Sequence, residues 1–180
     1  MQNRSDSSQT GCVPFRCPFP CLVALMVCLM LAFLPARISA DPLTGTWTLN
    51  LARSHYGPSA ELRKRETFTC EPVGQALKCT IRSVRADGRA LVGSFVAALD
   101  GKAYSAEGIP EVDQVSLRKI DEFVADATFS NKGKPVFGYR AIKSSDGRSL
   151  TFVSVDPVTR TVLGSLVVYD RQSGAAARLQ

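Results

Sequence analysis

The chain has 180 residues, with 22 Lys+Arg against 16 Asp+Glu, a formal net charge of +6 and 45% hydrophobic residues. That length and apolar content fit one domain with a real core and exclude a wholly disordered or fibrous chain. The basic excess is mild and scattered, which argues against a nucleic-acid partner and allows only weak attraction to an anionic envelope surface.

Residues 1–40 read as a secretory signal peptide. Arg4 and Arg16 precede an unbroken apolar run over 21–34, and Pro35, Arg37 and the small-residue exit Ile38-Ser39-Ala40 follow it. The protein is therefore expected to be secreted or periplasmic after cleavage near Ala40. A retained N-terminal anchor is the competing reading, because the segment between Arg16 and Arg37 approaches the roughly 20 residues that a spanning helix needs. Pro18, Pro20 and Pro35 and the shortness of the apolar run weigh against it. Residues 41–172 then form the domain, and 173–180 a disordered tail. Of six cysteines, four (Cys12, Cys17, Cys21 and Cys28) lie in the leader, so Cys70 and Cys79 are expected to form one disulfide in the exported chain.

Along the domain, short alternating runs follow one another, and no segment has a helical apolar period. The first strand, over 44–51, carries the only tryptophan, Trp47. A turn-rich segment over 52–60 leads past Arg63, Lys64 and Arg65, read as a solvated strand entry, into strands over 66–70 and 77–84. Pairing Cys70 with Cys79 also opposes Phe68 to Ile81, so one register satisfies both the disulfide and the apolar face. Asp87-Gly88, Asp100-Gly101 and Asp146-Gly147 separate further runs and predict two-residue hairpins with both turn residues at positive φ. With strands also over 114–120, 123–130, 136–143, 150–155 and 161–170, the count is about ten. The predicted fold is all-β, an antiparallel up-and-down meander closed into an 8 to 10-stranded barrel. Successive connections of such a meander alternate between its ends. The longer loops, over 52–60, 86–89, 108–112, 131–134 and 156–160, therefore collect at one rim, the mouth.

Gly45-Thr46-Trp47 at the head of the first strand, with Arg171 just after the last, resembles the lipocalin pattern of a G-x-W tryptophan under a basic side chain at the closed barrel end. The opening Gly-Thr-Trp-Thr-Leu-Asn-Leu-Ala-Arg-Ser and the closing Val-Val-Tyr-Asp-Arg-Gln are similar to a group of exported bacterial lipocalin-like proteins. The resemblance implies a calycin/lipocalin-like barrel in which Trp47 and Arg171 are structural.

Phe68, Ile81, Phe95, Phe129, Phe137 and Tyr139 fall on apolar faces and are the candidate ligand-binding residues, with Phe152 on a similar face. Plain core packing is the alternative for each, since an eight-stranded barrel is filled by side chains while a larger one opens a cavity. His55, the only histidine, lies in a mouth loop without the second ligand that a zinc site needs. Ser94 and Ser165 lack the flanking pattern of a nucleophile elbow. Asp87, Asp100, Asp146 and Asp156 are accounted for by turns, and Glu107, Glu111 and Asp113 lack EF-hand spacing. No catalytic residue, metal site or cofactor is expected. Two functions stay open: a non-enzymatic binding protein holding a small apolar or amphipathic molecule in the lumen, and a solid-core envelope interaction domain acting through its loops.

Overall fold

Strand alternation decides what the barrel encloses. The computed structural model describes residues 41–57 and 62–172. The leader expected over 1–40 and the tail expected over 173–180 lie outside the described residues. The strands are β1 (Gly45–Leu49), β2 (Arg63–Val73), β3 (Ala76–Arg85), β4 (Ala90–Ala97), β5 (Asp100–Glu107), β6 (Gln114–Lys119), β7 (Val124–Asn131), β8 (Lys134–Lys143), β9 (Ser149–Val155) and β10 (Val162–Arg171). Each pairs antiparallel with its neighbours in sequence, and β10 pairs with β1 to close a ten-stranded up-and-down barrel. Among the described residues there is no α-helix, only a 3-10 turn at Leu51–Arg53.

In β2, Glu66, Phe68 and Cys70 are buried, and in β3, Leu77, Cys79 and Ser83 are buried while Lys78 and Arg82 are exposed. Cys70 stands opposite Cys79 and Phe68 opposite Ile81, in the register that the sequence requires, and the two cysteines are disulfide-bonded. Closing so short a loop stabilises by about 2 to 3 kcal/mol in the chain-entropy view.

The lower end is shut by the segment preceding β1. Pro42 and Leu43 are buried, and the fully buried Trp47 donates its indole N–H to the Leu43 carbonyl at 2.9 Å. Arg171 lies over the Trp47 ring at 5.1 Å from its centroid, a contact worth about 0.5 to 2 kcal/mol. Gly45 makes this possible: its φ of +138° suits glycine alone, and a Cβ there would meet the Arg171 guanidinium at 3.1 Å.

The turn chemistry differs from the expectation at several places. Asp87 and Asp146 are not at positive φ; each accepts from a backbone N–H two residues on, Arg89 at 2.9 Å and Arg148 at 3.0 Å, and only the following glycine is left-handed. These are aspartate-capped loops longer than two residues, with glycine at the left-handed position. Asp100 and Gly101 do not sit between strands at all. They begin β5, where Gly101 at φ +81° marks an irregularity in the pairing with β6. The loop with both central residues at positive φ is Lys132-Gly133, between the paired Asn131 and Lys134.

Candidate functional site

Inside the barrel is a cavity of about 690 Å³. Its floor includes Leu43 and Leu117, and its upper wall includes Tyr56 and Gly57 from the β1–β2 connection and Ile109, Pro110 and Glu111 from the β5–β6 connection. A ten-stranded barrel is wider than its apolar side chains fill, which is why space remains.

The walls are of two kinds. Rings from β4, β7, β8 and β9 form a connected array: Phe95 meets Phe129 at 6.2 Å between centroids, Phe129 stacks on Phe137 at 4.7 Å, and Tyr139 lies edge-on to Phe129 and Phe152 at 6.3 and 6.0 Å. Phe152 in turn packs edge-on against Phe68 and Tyr169, at 5.3 and 5.4 Å. Offset and edge-to-face geometries of this kind give aromatic pairs stabilisation beyond their area.

The second wall is polar and comes from β2, β3, β10 and the β1–β2 connection. Arg63 meets Glu66 through Nε to Oε2 and Nη1 to Oε1, both at 3.2 Å. Tyr169 donates its hydroxyl to Glu66 Oε1 in a short bond, and Arg63 Nη1 reaches the Tyr169 oxygen at 3.5 Å. Burial and the adjacent Glu66 carboxylate push the Tyr169 phenol well above its ordinary value, with the Arg63 charge opposing. Burial works against the Arg63 charge, but Glu66 beside it, with Tyr169 and Tyr139 adding to its effect, outweighs this, and the guanidinium is held above its ordinary value. The Tyr56 hydroxyl is buried, has no hydrogen-bond partner among the described residues, and lies within electrostatic reach of Arg63, Glu66 and Tyr139. Burial raises the Tyr56 phenol, with Arg63 opposing and Glu66 adding to the rise.

The structure brings Phe68, Ile81, Phe95, Phe129, Phe137 and Tyr139 to this one cavity. Trp47 and Arg171 lie below it at the closed end. Sequence reasoning passed over Arg63, Glu66, Tyr169 and Tyr56 as cavity residues. Arg63 is half-buried and faces inward, unlike the exposed Lys64 and Arg65, so the reading of all three as a solvated strand entry is corrected here. His55 is exposed and pairs with Leu166 through backbone hydrogen bonds. Glu107, Glu111 and Asp113 are exposed, and Asp113 accepts from the Lys132 backbone N–H at 3.0 Å. Ser94 lies within β4, and Ser165 in β10 accepts from the Gly57 N–H at 2.9 Å.

A second arginine–carboxylate cluster sits on the outer face. Asp126 in β7 is 1% exposed, accepts from Arg140 Nε and Nη2 at 2.8 and 3.1 Å, and meets Arg118 at 3.4 Å. Burial raises its carboxyl, but hydrogen bonding and charge from Arg140, with Arg118 and Arg160 behind, outweigh that and hold it below the usual carboxylate range.

Neither protein-family models, nor curated proteins, nor solved structures give a match to this chain.

Proposed function

We propose that this protein is an exported, non-enzymatic binding protein that holds one small amphipathic molecule in the barrel lumen. The observation that carries the reading is the cavity of about 690 Å³ walled by connected aromatic rings. Its size and lining suit a small-molecule site, which typically measures about 300 to 1,000 Å³ with apolar walls and a few placed polar groups. A solid-core interaction domain would instead fill the lumen with side chains. The Cys70–Cys79 disulfide is compatible with export, and the lipocalin-like character rests on Gly45, Trp47 and Arg171.

Phenylnaphthylamine, an uncharged fluorescent apolar probe, tests the reading. The mature protein is expected to take up one probe with enhanced emission. Phe129→Ala and Phe137→Ala should each weaken uptake several-fold while costing less stability than the about 3 to 5 kcal/mol of a fully packed phenylalanine. No uptake by the native barrel, with full loss of stability in both variants, sinks the binder and leaves the interaction domain.

A further inference from the structure

The most exposed large apolar side chains of the barrel gather at its mouth. Among the described residues, Val158 is 74% exposed, Val162 62%, and Leu62 and Leu163 56% each, ahead of every other large apolar side chain. They lie on the β1–β2 and β9–β10 connections or in the first residues of β10, and the two connections adjoin because β10 pairs with β1. A fixed turn maintains the exposure of Val158: Asp156 accepts from the Val158 and Thr159 N–H groups at 2.9 and 2.6 Å, and Arg160 Nη2 donates to Thr128 Oγ1 at 2.8 Å. Single exposed apolar residues need no explanation, but a group of them at the opening of an apolar cavity marks a surface that meets an apolar phase. Leu163 is both exposed at the rim and part of the cavity lining, so apolar surface extends from the lumen outward.

Charge selects what that phase is. The neighbouring β7–β8 turn carries exposed Lys132 and Lys134, and the entry to β2 carries exposed Lys64 and Arg65. On the other side of the mouth, Glu107, Glu111 and Asp113 are exposed along the β5–β6 connection. The rim therefore changes sign between β6 and β7, and its apolar arc lies on the cationic side. Apolar tips flanked by lysines are complementary to an anionic lipid surface, whose head groups attract the cations while the interface takes up the apolar tips. The acidic arc is repelled by the same surface, which fixes the tilt of the barrel on it.

We propose that this arc of the mouth docks on an anionic lipid bilayer, with Val158 and Val162 entering the head-group layer and Lys132 and Lys134 meeting lipid phosphates, so that the lumen opens toward the membrane. Docking stands on the rim alone. Passage of an apolar ligand between bilayer and lumen rests on the lumen being a binding site, and would spare that ligand a crossing through water.

Co-sedimentation of the mature protein at low ionic strength tests this, with vesicles of phosphatidylglycerol and phosphatidylcholine in equal parts set against vesicles of phosphatidylcholine alone. Native protein is expected to sediment with the anionic vesicles, far less with the neutral ones, and to be released as salt is raised. Val158→Ser with Val162→Ser should weaken the anionic binding at least about tenfold, through loss of apolar area at the interface. Lys132→Glu with Lys134→Glu should weaken it about twentyfold or more, each lysine near an anionic surface being worth about fivefold. Neither pair lines the cavity, so phenylnaphthylamine uptake should be unchanged in both and reports that the barrel is intact. Val73→Ser with Lys78→Glu makes the same kinds of change at the closed end, where Val73 is 51% exposed, and should bind vesicles as native protein does. The proposal is overturned if native protein does not sediment with the anionic vesicles, if either rim pair leaves binding unchanged, or if the closed-end pair weakens it as much. An arc covered by a second copy of the chain would appear as a dimer in analytical ultracentrifugation without vesicle binding, and that result also overturns it. Vesicle binding with no probe uptake by native protein supports the docking surface and is instead the failure of the lumenal binding reading.

Discussion

Among the described residues two buried carboxylates are held by arginine, Asp126 on the outside of the barrel and Glu66 on the inside. Outside, Asp126 is more deeply buried than Glu66, at 1% against 6% exposure. Yet its shield is two arginines whose side chains remain 41% and 58% exposed, and the donors that Asp126 does not use face water. Inside, Glu66 and Arg63 are both screened from bulk water, with side-chain exposures of 7% and 22%, and the groups around them face the cavity. Depth of burial therefore does not separate a structural ion pair from a candidate recognition site. What separates them is where the neighbouring polar groups point.

Removing the acid from each cluster gives the largest expected contrast. Glu66→Ala strands Arg63 in the lumen and is expected to cost about 3 to 5 kcal/mol in urea-unfolding measurements, the usual penalty for breaking a buried pair on one side. Asp126→Ala frees Arg118 and Arg140 to rehydrate where they stand. Its expected cost is about 1 to 2 kcal/mol, near that of lost charged hydrogen bonds. If Asp126→Ala proved the more damaging, the outer cluster would be the buried one in energetic terms, and the distinction would fail.

The two clusters also show what was readable in the chain. The barrel, the Cys70–Cys79 register and the mouth loops follow from period-two alternation and turn residues, which are local signals. Phe68, Phe95, Phe129 and Phe137 share a lumen because alternation aims them inward. Arg63 was hidden by a break in that rule. Residues three apart in a regular strand face opposite ways, so Arg63 and Glu66 read as unrelated. The register shift between Arg63 and Arg65 inserts one extra residue opposite β3, and both side chains then turn inward. Tyr169 and Glu66 lie over a hundred positions apart in sequence, and only closure of β10 through β1 onto β2 brings them together. The Asp-Gly pairs misled for a similar reason. The aspartate side chain supplies the turn's hydrogen bond, so the aspartate itself need not adopt positive φ.

The smallest expected effects are in the pH limits of stability, where the two clusters should fail at opposite ends. Asp126 has a folded value below the usual carboxylate range. Its contribution is thus complete above the unfolded aspartate value of about 3.9 and is lost as pH falls through the lower folded value. Tyr169 has a folded value well above its ordinary one. Its contribution is complete below about 10 and is lost as pH rises toward the folded value. Arg140→Gln should therefore move the acid unfolding midpoint upward by about half a pH unit or less and leave the alkaline midpoint in place. Tyr169→Phe should extend the alkaline limit without touching the acid one. Part of the alkaline loss should persist in that variant, because burial also raises Tyr56. Circular dichroism followed across both limits checks this directly. If either variant shifted both midpoints, the inner and outer clusters would be coupled through the β7–β8 wall, and the contrast between them would have to be abandoned.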